Sequence, residues 1–166
     1  MKVLTTILLM TISVLLASCG GDDDSPSSQG GTDSFFAKID GADYNPPSIS
    51  GFRFESTNSI ILTGATGTTE EQIQIFVPDD IAVGTYTSYY DPLNSPFIQA
   101  YYQPAGAQDA DDTGIADTGS LVITQHDIDA KTIKGTFNFN TEPALSSGTA
   151  WTITEGSFEI TYSDLD

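Results

Sequence analysis

Residues 72–77 read QIQIFV, with Ile73, Ile75 and Val77 at every second place. Period two belongs to the β-strand, whose successive side chains leave opposite faces, and it cannot line one face of a helix. The same beat runs through FFAKID from Phe35, FRF at 52–54, SIILTG, GTYTSYY, FIQAYYQ, SLVITQ, TIKGTFNF, AWTIT and SFEITY. Gly, Asn, Asp and Pro separate these segments, and no window carries the i, i+3, i+4, i+7 spacing of a substantial helix. Thr, Ile, Val, Phe and Tyr fill them, the residues that suit a pleated, half-buried surface. Short strands at intervals of about 10–12 residues predict an all-β domain over residues 35–166. An antiparallel β-sandwich is the first expectation and a closed β-barrel the alternative.

The last third is the most regular. Leu121 and Ile123 point one way, HDIDAK turns the chain, and Ile133, Phe137 and Phe139 run back. Gly135 within the returning strand marks a bulge or a close backbone approach. Trp151 and Ile153 lead to an expected turn at Glu155-Gly156, after which Phe158, Ile160 and Tyr162 close the sheet. The expected core therefore contains Ile75, Ile123, Phe137, Phe139, Trp151 and Phe158.

The first 34 residues follow different rules. Met1-Lys2 is a positive start, and Val3 to Ala17 is apolar apart from Thr5, Thr6, Thr11 and Ser13. That block is short for a transmembrane helix of about 20 apolar residues and has the form of a secretory signal. Leu16-Ala17-Ser18-Cys19 resembles the bacterial lipobox. Cys19 is the single cysteine of the chain, and a thiolate is the nucleophile that accepts a diacylglyceryl group. Small Ala17 and Ser18 let the backbone enter a peptidase, so residues 1–18 are expected to leave by cleavage between Ser18 and Cys19. Two or three acyl chains on Cys19, palmitate among them, would anchor the chain stably where one would not. Gly20 to Ser34 offers almost nothing to pack and is expected to be a flexible acidic tether, with an end-to-end distance of about 20 Å. Asp22, Asp23 and Asp24 directly after the lipidated residue resemble the surface-export signal of Bacteroidota lipoproteins, which implies an outer-membrane, cell-surface location.

Charge narrows the partners. The chain has 5 basic and 23 acidic residues and a formal net charge of −18, and loss of Lys2 with the leader makes the mature protein one unit more negative. Nucleic acid is excluded by this field, since phosphate contacts need clustered Lys and Arg. Anionic headgroups repel it too, so the membrane is reached through the lipid. With Cys19 acylated no disulfide can form, and about 130 folded residues must be held by an apolar core.

Motifs that bear chemistry are sparse. Asp117-Thr118-Gly119-Ser120 spells the aspartic-protease motif and Asp112-Thr113-Gly114 nearly repeats it. That reaction needs two carboxylates facing each other from separate lobes. Copies five residues apart on one loop cannot do this, and Gly114-Ile115-Ala116 does not look like a strand able to present Asp117. A solvated turn before SLVIT is expected instead. Asp109, Asp111, Asp112 and Asp117 partly match a calcium loop, but position twelve is Ser120 and the bidentate glutamate is missing. A weak calcium site on these four is the candidate cofactor chemistry, beside the plainer one of a soluble loop.

Tyr86, Tyr89, Tyr90, Tyr101, Tyr102 and Trp151 are candidates for an aromatic platform that takes a glycan. Neighbours within Tyr89-Tyr90 and Tyr101-Tyr102 must point to opposite faces, so only part of the set can face outward. His126, the single histidine, is expected at the start of a hairpin turn. It has neither a presented nucleophile nor companion metal ligands.

FFAKIDG, GTY, GSLVIT, IKGTFNF and ITEGSF, in this order over residues 35–162, resemble a family of small Bacteroidota lipoproteins without an assigned function. The resemblance implies an all-β extracytoplasmic domain and assigns no catalytic residue. The expected function is that of a lipid-anchored, non-catalytic β-domain that binds a glycan or an envelope protein or contributes to the envelope surface. The alternative is a carbohydrate-processing or other hydrolase accessory that uses carboxylates such as Asp109 or Asp117.

Overall fold

The structure, a computed structural model, describes residues 33–67, 71–89, 97–107, 112–143 and 148–165. The leader, Cys19, Asp22 to Asp24 and all of the tether before Asp33 lie outside the described residues, as do Tyr90, Asp109 and Asp111.

Among the described residues the regular structure is all β apart from 3-10 turns at Glu55–Thr57 and at Asp112. The strands are β1 (Ser34–Ile39), β2 (Ala42–Tyr44), β3 (Ser48–Phe54), β4 (Ser59–Ala65), β5 (Gln72–Pro78), β6 (Gly84–Ser88), β7 (Gln99–Gln103), β8 (Gly114–Asp127), β9 (Thr132–Pro143), β10 (Thr152–Thr161) and β11 (Ser163–Leu165). They join one 11-stranded sheet in the order β11-β3-β4-β5-β7-β8-β9-β10-β1-β2, with β6 paired to β8 off this path. All pairings are antiparallel except the parallel one between β11 and β3. The all-β expectation holds. The form lies between sandwich and closed barrel, because one continuous sheet curls into an open half-barrel.

Curling brings the two ends of the sheet together, and small residues mark the contact. A Cβ on Gly51 of β3 would stand 2.8 Å from Ile160 and Tyr162 at the end of β10, and one on Gly64 of β4 would stand 2.6 Å from the Phe35 ring of β1. The concave face holds Ile60, Leu62, Ile73, Ile75, Val77, Leu121, Ile123, Ile133, Phe137, Phe139, Ile153, Phe158 and Ile160, all buried. Five of the six expected core residues are among them; Trp151 is only half-buried and packs against the edge of the cluster. No helix among the described residues is long and apolar enough to cross a membrane.

Bulges keep the apolar face inward where the sequence loses step. The pairing of β8 with β9 shifts between Ala116 and Thr118, making Asp117 the extra residue. Ala116 and Leu121 can then both face the core although they are an odd number of residues apart. The DTGS stretch therefore lies inside a 14-residue strand, where a turn was expected, and Gly114 to Ala116 are its first residues. Glu155-Gly156 is likewise a bulge within β10 and not a turn. Both neighbours register it, β9 between Ile153 and Gly156 and β1 between Phe36 and Lys38. Glu155 sits at φ +52, and Lys38 Nζ donates to its Oε1 at 2.9 Å. Asp40-Gly41, both at positive φ, close β1 onto β2 as a two-residue hairpin, a backbone path that suits Asp-Gly.

The short β11 is tied by charge. Lys131 Nζ donates to Asp164 Oδ2 at 2.7 Å, and Arg53 Nε pairs with Oδ1 at 2.8 Å without hydrogen-bond geometry. The Lys131 hydrogen bond, assisted by the Arg53 charge, holds the Asp164 carboxyl below its ordinary 3.8. A lowered carboxylate stabilises the fold above its unfolded pKa, and that contribution disappears as pH falls through the folded value. Asp164→Asn is accordingly expected to lower the thermal midpoint at neutral pH. The gap to wild type should close in strong acid; a gap that persists there would mean the charge is irrelevant.

Candidate functional site

The inward alternation of β5 and β7 leaves a second set of side chains on the convex face. On β5 these are Gln72, Gln74 and Phe76, and on β7 they are Gln99, Tyr101 and Gln103. The register sets Gln72 opposite Gln103, Gln74 opposite Tyr101 and Phe76 opposite Gln99, and directly opposed residues share a face. Gln72 Nε2 donates to Gln103 Oε1 at 3.1 Å, and Gln74 Nε2 to Gln72 Oε1 at 3.5 Å. The Phe76 and Tyr101 rings meet edge to face, centroids 5.4 Å apart. Gln72, Gln74, Phe76, Tyr101, Gln103 and Thr113 line a depression of about 270 Å³, with no charged side chain among the described residues of its wall. A second depression of about 380 Å³, lined by Thr57, Asn58, Ser59, Val77, Pro78 and Phe97, lies on the other side of Phe76. Ile61 and Thr63 of β4, opposite Phe76 and Gln74, extend the uncharged surface.

A separate pocket of about 300 Å³ lies beside the β1–β2 hairpin, with Asp40, Asp43, Tyr44, Glu71, Tyr102 and Trp151 in its wall. Tyr102 Oη donates to Glu71 Oε1 at 2.8 Å, and Tyr44 Oη donates to the Gly64 carbonyl at 2.7 Å. Burial pushes both phenols well above the ordinary tyrosine value, and Glu71 adds to it, so both stay protonated donors. Asp40 Oδ1 accepts from the Thr152 amide at 2.8 Å. Asp40 and Glu71 are thus committed to holding the hairpin and the barrel end.

The sequence-derived candidates scatter over the fold. Of the aromatic set, Tyr101 faces outward into the uncharged depression. Tyr86 bonds the Ala82 carbonyl, Tyr89 is buried against Phe139, and Tyr102 is buried against Trp151 with centroids 5.2 Å apart. Asp117 is exposed on its bulge and Asp112 is exposed before β8. No group of three or more His, Cys, Asp or Glu among the described residues stands close enough to hold a metal.

His126 lies at the end of β8, its Nδ1 2.9 Å from the Ile81 carbonyl and its Nε2 3.1 Å from Tyr162 Oη. Donation from Nδ1–H to the carbonyl leaves Nε2 to accept from the phenol, so the ring joins the β5–β6 connection to the C-terminal end of β10. The residues that sequence reasoning passed over are Gln72, Gln74, Phe76 and Gln103. Their signal was present in QIQIF, where every residue that is not core must face outward.

The chain belongs to the family described as a domain of unknown function, DUF6252, whose pattern matches residues 32–160. No curated protein and no solved structure matches it.

Proposed function

We propose that this protein is a lipid-anchored, non-catalytic binding domain displayed on the outer face of a bacterial outer membrane. The observation that carries the binding role is the uncharged aromatic and amide face of β5 and β7. On a chain of net charge −18, a depression whose described lining carries no carboxylate is where an uncharged partner can dock without a charge directly against it. Its groups suit recognition: side-chain amides offer hydrogen bonds beside aromatic rings, and no nucleophile or paired acid and base stands among the described lining residues. Anchoring rests on Leu16-Ala17-Ser18-Cys19, and surface display on Asp22, Asp23 and Asp24 following the lipidated cysteine. The tether then sets the domain about 20 Å from the bilayer.

Protease shaving of intact cells tests the location. The wild-type chain is expected to be digested, whereas a variant with Asp22, Asp23 and Asp24 all changed to Ala stays protected while still lipidated at Cys19. Equal digestion of both would show that the acidic run is no export signal. Protection of both would place the domain inside the envelope.

A further inference from the structure

We infer that the convex face of β5 and β7 is a groove for an extended, uncharged polysaccharide, an assignment that rests on the binding role above and names its ligand. The two depressions flank Phe76 along one strand. At about 3.4 Å per residue, the run from Gln72 to Pro78 is about 20 Å long, room for several sugar rings in line. Sugar rings present apolar C–H faces and a rim of hydroxyls. Phe76 and Tyr101 meet edge to face at 5.4 Å, so the pair can offer a ring face for stacking. Gln72, Gln74 and Gln103 use few of their hydrogens and lone pairs on one another, which leaves both donors and acceptors for hydroxyls.

Charge and topology exclude the other occupants. An anionic polymer would meet the field of 23 acidic residues, with few cations to answer it. A cationic ligand would find no carboxylate among the described residues of the amide-lined depression. A peptide added as a strand needs a free edge; β5 is paired on both sides along this face, and β7 is paired with β5 throughout and with β8 at Tyr101 and Tyr102. A second copy of the chain would bring a charge of −18 against −18. An apolar partner would bury the glutamine amides without repaying their lost water.

Affinity electrophoresis of the full chain in detergent tests the assignment, with laminarin, glycogen or galactomannan in the gel and polygalacturonate as the anionic comparison. Retardation is expected in at least one neutral gel and not in polygalacturonate. Tyr101→Ala and Gln74→Glu should each weaken it about tenfold. Gln74→Glu is nearly isosteric, so it reads out the groove even if Tyr101→Ala disturbs the fold. Unretarded migration in all three neutral gels, retardation by polygalacturonate, or retardation that survives both substitutions would overturn the assignment. A chain that is shaved from cells but never retarded overturns the groove and leaves surface display standing. A chain that is retarded but resists shaving does the reverse.

Discussion

Phe137→Ala is expected to cost about 3–5 kcal/mol of unfolding free energy, the usual range for a fully buried phenylalanine. Phe137 is 2% exposed and sits where β1, β9 and β10 converge. Its ring lies 5.4 Å from Phe35 of β1, 6.1 Å from Phe139 beside it on β9, and 6.2 Å from Phe158 of β10. The space it fills was cleared for it: a Cβ on Gly156 would come within 2.5 Å of the Phe137 ring. Removing the ring therefore leaves a void lined by aromatic faces that the curled backbone cannot collapse into. A domain of this size has roughly 5–15 kcal/mol in total, so the loss is a large share. Urea unfolding followed by tryptophan fluorescence would measure it, and a cost under 1 kcal/mol would mean that Phe137 is not a core residue. Gly156→Ala should be disruptive in wild type and better tolerated beside Phe137→Ala, since the two positions share one volume.

How much of this was legible in the sequence follows from what period two can and cannot say. Ile75, Ile123, Phe137, Phe139 and Phe158 were assignable to the core because each sits in an unbroken alternation. The face of Gln72 and Gln74 was legible for the same reason. Its pairing with Tyr101 and Gln103 was not, because β7 joins β5 after an intervening strand. Glu155-Gly156 and Asp117 looked like turns because turn residues and bulge residues are the same types, chosen for the same backbone freedom. Only a register against two neighbours tells them apart. Trp151 was placed in the core by its alternation with Ile153, yet it sits just before β10 and is only half-buried. The choice between sandwich and barrel depended on curvature, which those bulges and Gly51 and Gly64 control and which no strand pattern records.

The bulge at Asp117 leads to the other large effect. Gly119 follows it at φ +150, a conformation that side chains rarely adopt, and pairs with Phe139 of β9. A Cβ there would stand 2.1 Å from the Asn138 carbonyl oxygen and 2.6 Å from the Phe139 Cα. Those are backbone atoms, so no rotamer change can relieve the clash and the two strands must separate. Separation would unpair β8 from β9 beside Leu121, Phe137 and Phe139, the centre of the core. Gly119→Ala is expected to cost about 3–5 kcal/mol, combining overpacking with backbone strain. Gly84→Ala on β6 is the matched control. Its Cβ would meet nothing closer than the Tyr86 hydroxyl at 3.7 Å, and it should stay within about 1 kcal/mol of wild type. Denaturant unfolding of both variants decides the matter, and equal stabilities would show that β8 does not carry this bulge. The expected asymmetry also explains the DTGS stretch without any protease: its aspartate is the extra residue that restores the alternation, and its glycine is what lets β9 come close.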